Sequence, residues 1–179
     1  MRFAPELLQI VVVFVWSSTF LISKFAFAEI PPLAFLFGRF SIMLLVAVTI
    51  MVTLDRAVWR DIDRADIPRF IAAGLSGYCV YQLLFLLGLN YTSPFSSALL
   101  VAMTPLFTVI ILALMGERTP RAGWIGLGVA LVGVATFLFD KRDAAAGSLV
   151  GDLLSIGSAI SFAVYGIVNR PLVRKYPVF

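Results

Sequence analysis

The sequence contains no histidine and one cysteine, and only 13% of its 179 residues are charged. Without histidine, the chain lacks the commonest metal ligand and general base of proteins. Because Cys79 has no second cysteine to pair with, an intrachain disulfide is excluded. Soluble globular domains carry about 25% charged residues. The shortage of charge therefore argues against a soluble enzyme, a disulfide-rich secreted scaffold and a disordered chain.

Apolar residues take the place of the missing charge, since 61% of the chain is hydrophobic and the mean hydropathy is +1.01. A membrane helix needs about 20 mostly apolar residues, and the charge-free runs do not alternate as the strands of a transmembrane barrel do. The sequence therefore predicts an all-α polytopic membrane helix bundle. Six transmembrane helices are predicted, at residues 7–28, 33–54, 68–89, 95–115, 121–139 and 150–169.

The basic residues are distributed unevenly between the predicted loops. Most lie before helix 1, between helices 2 and 3, between helices 4 and 5 and after helix 6, whereas the loops on the other side contain only Lys141 and Arg142. The positive-inside rule then places the N-terminus in the cytoplasm. We expect an integral protein of the bacterial inner membrane, surrounded by the lipid bilayer. We expect no nucleic-acid partner, because this asymmetry accounts for the net charge of +4.

Helix 6 repeats features of helix 1. Both helices have an acid at the start, an aromatic residue in the middle and a base at the end, at the pairs Glu6/Asp152, Trp16/Phe162 and Lys24/Arg170. Chance similarity between two unrelated spans is one explanation. The stronger interpretation is that residues 1–148 form a five-helix unit and residues 149–179 begin a second copy. Because five is odd, that copy enters the membrane from the opposite face, as in the inverted repeats of secondary transporters.

Several short motifs follow one another along almost the whole chain: Trp16–Phe20, Gly38–Phe40, Gly88–Pro94, Ser97–Leu100, Thr104–Thr108, Gly116–Arg118, Gly123–Gly126 and Gly151–Leu154. In order and spacing they resemble the drug/metabolite transporter superfamily, specifically its EamA-type ten-helix exporters. The resemblance implies two inverted five-helix repeats around a central cavity. It also implies export or exchange of small metabolites, often amino acids or related compounds. On this basis we expect a C-terminal repeat beyond this sequence, or a homodimer, to complete the cavity.

Two predicted helices carry aromatic and polar residues on one face. Spacings of three and four residues place each set on one side of its helix: Tyr78, Tyr81, Gln82 and Phe85 on helix 3, and Ser158, Phe162, Tyr165 and Asn169 on helix 6. Such faces suit a small amphipathic substrate, because rings stack and their polar tips form hydrogen bonds. Trp16 and Thr19 of helix 1 are further cavity candidates. The alternative is a packing face whose hydroxyls bond neighbouring helices.

Helix 4 contains a proline in its interior. Pro105 removes one backbone hydrogen bond and leaves the carbonyl of Val101 without its helical donor, and Thr104 lies beside it. Broken helices near the middle of the membrane often form substrate sites or gates, and a kink that only improves packing is the alternative. We therefore include Thr104 and Pro105 among the cavity candidates.

Lys24 and Arg39 are the charged residues inside the predicted spans near their outer ends. Both side chains are long enough to reach the membrane interface. The functional alternative is an outer-vestibule pair that attracts carboxylate substrates. At the other side of the membrane, Glu117 is expected to pair with Arg118 or Arg121, and proton coupling is the alternative.

These features together predict a metabolite transporter that works by alternating access, or the N-terminal part of one. We expect no cofactor and no metal. An enzyme is disfavoured because the chain lacks histidine and has no carboxylate in the interior of a span. A structural or assembly subunit, which pairs with another chain and transports nothing by itself, remains the alternative.

Overall fold

The computed structural model describes residues 4–54, 62–118, 120–140 and 146–176. The described chain forms helices joined by short connections, so the predicted all-α polytopic membrane bundle is confirmed. The six helices are α1 (Ala4–Ala26), α2 (Pro32–Leu54), α3 (Arg64–Tyr91), α4 (Pro94–Leu114), α5 (Arg121–Asp140) and α6 (Ala146–Lys175). Among the basic residues used to predict the orientation, those outside the described residues are Arg2, Arg56, Arg60, Lys141 and Arg142.

Five of these helices, α1 to α4 and α6, are long and apolar enough to cross a membrane. In α5 the apolar helix is shorter, at Arg121–Phe137. None of the residues in the most apolar 18-residue stretch of α2 is buried within the protein. In the corresponding stretch of α1, only 11% of the residues are buried. Uncovered apolar faces of this size need lipid or another apolar surface around them. The chain is therefore an integral membrane protein.

Two helices are interrupted. α3 begins with a 3₁₀ turn at Arg64–Asp66 and passes through a π-helical segment at Leu75–Val80 before the regular helix resumes. α4 consists of two helical pieces, Pro94–Val101 and Thr104–Leu114. Segments with π-helical geometry occur frequently at functional sites. Both interruptions lie inside candidate membrane spans, where the backbone deviates from regular geometry only when its polar groups find other partners.

Local sequence signals fix both ends of α4. The hydroxyl of Ser93 accepts a hydrogen bond from an amide of the first turn at 3.1 Å, and Pro94 occupies a position where no amide hydrogen is needed. At the other end, Gly116 has a φ of 87°, and the Glu117 amide donates to the Leu112 carbonyl at 3.0 Å. This arrangement is a Schellman motif, which glycine permits because it has no Cβ.

α6 continues to Lys175, beyond the end predicted at residue 169, and Pro171 lies inside it rather than at its end. Side chains at the end of the helix are held by α3, because Lys175 and Tyr176 donate to the Asp66 carboxylate at 2.6 and 2.9 Å. These contacts offset the backbone hydrogen bond that proline removes.

α3 and α6 are antiparallel and form the centre of the bundle. The start of α3 meets the end of α6 where Lys175 binds Asp66. The end of α3 meets the start of α6, since the hydroxyl of Thr92 donates to Asp152 at 2.6 Å. We call these two levels the Asp66 end and the Thr92 end of the bundle.

Small residues allow α3 and α6 to approach closely. A Cβ added to Gly151 would lie 2.6 Å from the Thr92 nitrogen, and one added to Gly88 would lie 2.8 Å from the Ser155 hydroxyl. A Cβ on Gly77 would overlap the ring of Tyr165. Membrane helices associate through such small residues because lipid supplies no hydrophobic force between them.

The end of α1 lies at the Thr92 end of the bundle, where Lys24 donates to the carbonyl of Thr92 at 2.8 Å. α6 begins at the same end, because Asp152 is there. α1 and α6 are therefore antiparallel to one another, which is the relation that an inverted second copy requires. The repeat itself, with its boundary at residues 148 and 149, stays a prediction.

Candidate substrate cavity

A cavity of about 690 Å³ lies between α1, α4 and α6. Its wall is mostly apolar and includes the rings of Trp16, Phe20 and Phe162. Thr104 and Pro105 line it at the break in α4. Small-molecule pockets have volumes of about 300–1,000 Å³ and apolar walls with few polar groups. The cavity therefore has the size and surface expected for a site that holds a small, partly apolar solute.

The break in α4 is stabilised by its own side chains. Pro105 has no amide hydrogen to donate to the carbonyl of Val101, and the hydroxyl of Thr104 donates to this carbonyl instead, at 2.7 Å. One turn later, the hydroxyl of Thr108 donates to the Thr104 carbonyl at 2.9 Å. The irregular backbone beside the cavity is thus hydrogen-bonded without water.

Phe162 connects the cavity to the aromatic residues of the core. Its ring centroid lies 6.2 Å from that of Trp16, 4.7 Å from that of Tyr81 and 5.5 Å from that of Tyr165. Ring pairs at these separations contribute about 0.5–1.5 kcal/mol each beyond the burial of their surface. Phe162 is therefore both part of the cavity wall and a contact between α6, α1 and α3.

The predicted residues of α3 lie behind this wall. Tyr81 and Phe85 are only 4% and 3% exposed, and Phe85 packs edge to face on Phe20 with a centroid separation of 5.0 Å. Tyr78 is half exposed, and its ring centroid lies 6.0 Å from that of Tyr165. Gln82 also lies outside the set of residues that line the cavity. The aromatic face predicted on helix 3 is thus largely a packing face toward α1 and α6.

Three more predicted residues are engaged elsewhere. The buried hydroxyl of Ser158 donates to the carbonyl of Ser155 at 2.7 Å. The amide of Asn169 donates to the hydroxyl of Tyr165 at 3.2 Å. Thr19 bonds a carbonyl of its own helix at 3.3 Å. Of the predicted cavity residues, the structure brings together Trp16, Thr104, Pro105 and Phe162.

Sequence reasoning missed several residues of the wall, including Val13, Ser17, Phe20 and Thr108. Val13, Ser17 and Phe20 are four and three residues apart, so they share one helix face with Trp16 beside it. That spacing could have identified these residues as one face of α1 from the sequence. Thr108 is one turn beyond Thr104 and follows from the same rule.

The two charged residues predicted in an outer vestibule have different surroundings. Lys24 donates three hydrogen bonds of 2.8 Å, to the carbonyls of Leu89, Asn90 and Thr92, at the end of α3. A cation is favoured there by the unpaired carbonyls of the helix terminus. In Arg39, by contrast, the Nη1 atom is buried and has no hydrogen-bond partner among the described residues.

A charged network closes the Asp66 end of the bundle. Lys175 binds Asp66 at 2.6 Å and Asp63 at 3.1 Å. The Ala65 amide, followed by Lys175, holds the pKa of the Asp63 carboxyl below its usual value. Glu117 lies at the same end of the bundle, and its ion pair among the described residues is with neither Arg118 nor Arg121.

The partner of Glu117 is Arg170 of α6, at 3.5 Å. The expectation of Arg118 or Arg121 placed the pair within one loop. Because α6 packs against α4, a base near the end of α6 reaches the end of α4 instead.

Several known proteins similar to this chain are named as transporters. The chain is 25% identical over 162 residues to an uncharacterized transporter of Archaeoglobus fulgidus, covering 90% of this chain and 55% of that protein. It is 24% identical over 161 residues to the uncharacterized transporter YyaM of Bacillus subtilis, covering 88% and 52%. The chain thus spans about half the length of these relatives.

A further relative has a described cargo. A probable terminal-alkyne amino-acid exporter of Streptantibioticus cattleyicolor is 29% identical over 112 residues, covering 62% of this chain and 37% of that protein. No solved structure gave a significant match. The match to a known family extends over residues 4–139, most of the chain, and on this ground the chain belongs to the EamA-like transporter family.

Proposed function

We propose that this membrane transporter moves small metabolites, exporting or exchanging amino acids or related compounds by alternating access. The observation that carries the proposal is the cavity of about 690 Å³ between α1, α4 and α6. Its volume accommodates an amino acid, and its aromatic and hydroxyl groups suit a solute with an apolar side chain. The amino-acid exporter among the relatives supports this choice of cargo.

The close packing of α3 on α6 and the break in α4 suggest which helices move. α3 and α6 pack through glycines and are tied by hydrogen bonds at both ends. α4 is broken at Pro105, beside the cavity. Discontinuous helices commonly form the central site of secondary transporters, around which one part of the bundle moves against another. We therefore assign the motion to α1 and the second piece of α4, with the α3–α6 pair as the fixed frame.

The rest of the architecture follows from the sequence interpretation. Residues 1–148 form one five-helix repeat, and residues 149–179 start an inverted second one, which a longer chain or another copy completes around the cavity. The N-terminus lies in the cytoplasm and the membrane is the bacterial inner membrane. A structural or assembly subunit without transport is the competing function, and it predicts no flux of any solute.

The test is uptake of radiolabelled amino acids by proteoliposomes that contain the purified chain. We expect saturable flux of at least one apolar amino acid. Substitution of Trp16 or Phe162 by alanine lowers that flux at least about tenfold, equivalent to 1.4 kcal/mol. The matched control is Phe37→Ala, because Phe37 is 71% exposed on α2. Absence of flux across the whole panel contradicts the proposal, and so does equal loss in the control.

A further inference from the structure

A second cavity, of about 590 Å³, lies between the end of α4 and the end of α6. None of the described residues lines both this cavity and the candidate substrate cavity. Leu112, Met115 and Ile167 form an apolar part of its wall, and charged side chains of both helices form another part. A wall of this kind suits an amphiphilic ligand, because it offers surface for an apolar chain and donors for a polar head.

One of the three cations in this wall is uncompensated. Lys175 is held by the two carboxylates of the network at the Asp66 end, at 2.6 and 3.1 Å. Arg170 pairs with Glu117 at 3.5 Å. Arg174 also lines the cavity, and it forms no salt bridge with another described residue. The wall therefore attracts one further negative charge and repels a further cation.

Arg170 and Arg174 are placed to bind the same anion. They are four residues apart on α6, so they lie on one face of the helix, where like charges repel each other. Each guanidinium has five N–H donors, and Arg170 uses the Nη1 atom for its contact with Glu117. The remaining donors fit the oxygens of a phosphate group, which accept hydrogen bonds from two guanidinium groups at once.

The cavity lies where two candidate membrane spans end, at Leu114 of α4 and Lys175 of α6. Along both helices the apolar residues of the wall precede the charged ones, so the apolar part lies deeper in the membrane. Leu114 and Met115 are 83% and 65% exposed, which leaves this part of the cavity next to the lipid. A phospholipid has the same order, with its acyl chains inside the bilayer and its phosphate at the interface.

We infer that this cavity binds an anionic phospholipid such as phosphatidylglycerol. Its phosphate accepts hydrogen bonds from Arg170 and Arg174, and an acyl chain lies along Leu112 and Ile167. A zwitterionic phospholipid fits less well, because its ammonium group meets two arginines and the one acid of the wall is already paired. In the proposed orientation the lipid belongs to the cytoplasmic leaflet, where basic pockets between helices bind anionic head groups.

The test is native mass spectrometry of the purified chain in a mild detergent, with one lipid added at a time. The lipids are dioleoyl phosphatidylglycerol, phosphatidylethanolamine and phosphatidylcholine, which share the same acyl chains. We expect one phosphatidylglycerol to bind with a Kd at least about tenfold lower than that of either zwitterionic lipid. Inorganic phosphate and glycerol 3-phosphate, which lack acyl chains, should not displace it. Displacement by either one identifies a site for free phosphate and overturns the lipid assignment.

The variants change the affinity in opposite directions. Arg174→Gln weakens phosphatidylglycerol binding about tenfold, and Arg174→Lys weakens it less, because it keeps the charge without the planar fork. Glu117→Gln strengthens binding at least about twofold, since it removes a like charge and frees Arg170. The matched control is Arg121→Gln, which makes the same change of charge at an exposed position at the start of α5, outside the cavity. It should alter the Kd less than about twofold.

Two further results overturn the inference. Equal Kd values for the three lipids show that the cavity does not select an anionic head group. Equal weakening by Arg174→Gln and Arg121→Gln shows that the basic surface attracts anionic lipids in general and that the cavity has no special part. The inference is independent of the proposed transport, because binding is measured without any flux. Failure of the lipid site leaves the transport proposal standing, and absence of flux leaves the lipid site standing.

Discussion

α6 meets its neighbours on two sides in opposite ways. Toward α3 it presents Gly151 and Ser155, and the backbones approach so closely that an added Cβ would touch the Thr92 nitrogen at 2.6 Å. Beside α1 and the break in α4, the ring of Phe162 forms part of the wall of a cavity of about 690 Å³. Small residues give a close and fixed contact, whereas large rings that meet only in part leave space. The same helix thus serves as a frame on one side and as a wall of the candidate site on the other.

The polar groups show the same contrast. Thr92, at the end of α3, donates to Asp152 of α6 at 2.6 Å, and Ser155 of α6 donates to Ser97 of α4 at 3.1 Å. At the α2–α3 contact, the buried Nη1 of Arg39 has no such partner among the described residues. Satisfied buried groups stabilise a contact, and an unsatisfied buried group destabilises it.

The largest expected effect is at the closest point of the α3–α6 contact. In Gly151→Ala, the new Cβ meets backbone atoms of Thr92 and Gly88 at 2.6 and 2.8 Å, which no side-chain rotation relieves. We expect a loss of about 1–3 kcal/mol in the free energy of unfolding, typical of overpacking. Reversible unfolding in mixed micelles measures it.

The matched control is Gly166→Ala on the same helix, where nothing lies within 4 Å of an added Cβ. That variant should be neutral or more stable, because alanine is the better helix former by about 0.5–1 kcal/mol. Equal destabilisation by both variants contradicts the close α3–α6 contact.

The next largest effect is expected from a change at Pro105, beside the cavity. Pro105→Ala restores an amide that can donate to the Val101 carbonyl, so α4 straightens and the wall of the cavity changes. We expect amino-acid flux in proteoliposomes to fall about tenfold, equivalent to 1.4 kcal/mol, without loss of stability. Pro94→Ala, at the start of the same helix, is the control and should transport normally. Unchanged flux in Pro105→Ala shows that the break has no part in transport.

A smaller change is expected at the Asp66 end, from Lys175→Met. This substitution removes the cation that binds Asp63 and Asp66, and so lowers the thermal midpoint of unfolding. The folded pKa of Asp63 lies below its unfolded value, so its stabilisation is present above the unfolded pKa and is lost as the pH falls through the folded pKa. Melting curves between neutral and strongly acidic pH should therefore show a weaker acid dependence in the variant.

Arg174→Met, one residue earlier and exposed, is the control for this comparison. An unchanged acid dependence in Lys175→Met contradicts the role given to the network.

The smallest effect is expected for Ser161→Ala. The hydroxyl of Ser161 donates to the carbonyl of Ser76 at 2.8 Å, inside the π-helical segment of α3. Its removal should destabilise the protein by about 0.5–1.5 kcal/mol and speed hydrogen exchange in that segment. Ser18→Ala, whose hydroxyl bonds only its own helix at 2.9 Å, should do neither. Identical exchange in both variants indicates that the π-helical segment does not depend on α6.

The sequence predicted the helices because its signals for them are local. Pro94 and Gly116 mark the two ends of α4, and long charge-free runs mark the spans. The end of α6 was missed because it depends on Lys175 and Asp66, which are far apart in the chain. No local sequence signal predicts that contact, and Pro171 is typical of a helix end and not of a helix interior.

The site was predictable only in part, for the same reason. Phe162 was predicted from its spacing on helix 6 and Thr104 and Pro105 from the break that proline makes in helix 4, and these residues line the described cavity together with Trp16. Tyr81 carries the same aromatic signal but is buried in the core, because the sequence shows which residues share a face and not which helix covers it. The carbonyls that hold Lys24 come from residues on another helix, so its role needed the structure.

The most direct test of the transport account asks whether a transported solute occupies the cavity. Cys79 is replaced by serine, a single cysteine is introduced by Thr104→Cys in the cavity wall or by Arg174→Cys at the exposed end of α6, and labelling by a methanethiosulfonate reagent is timed in proteoliposomes. The account predicts that an amino acid carried by these vesicles slows labelling at position 104 and not at position 174. Equal labelling at position 104 with and without every transported solute would contradict it.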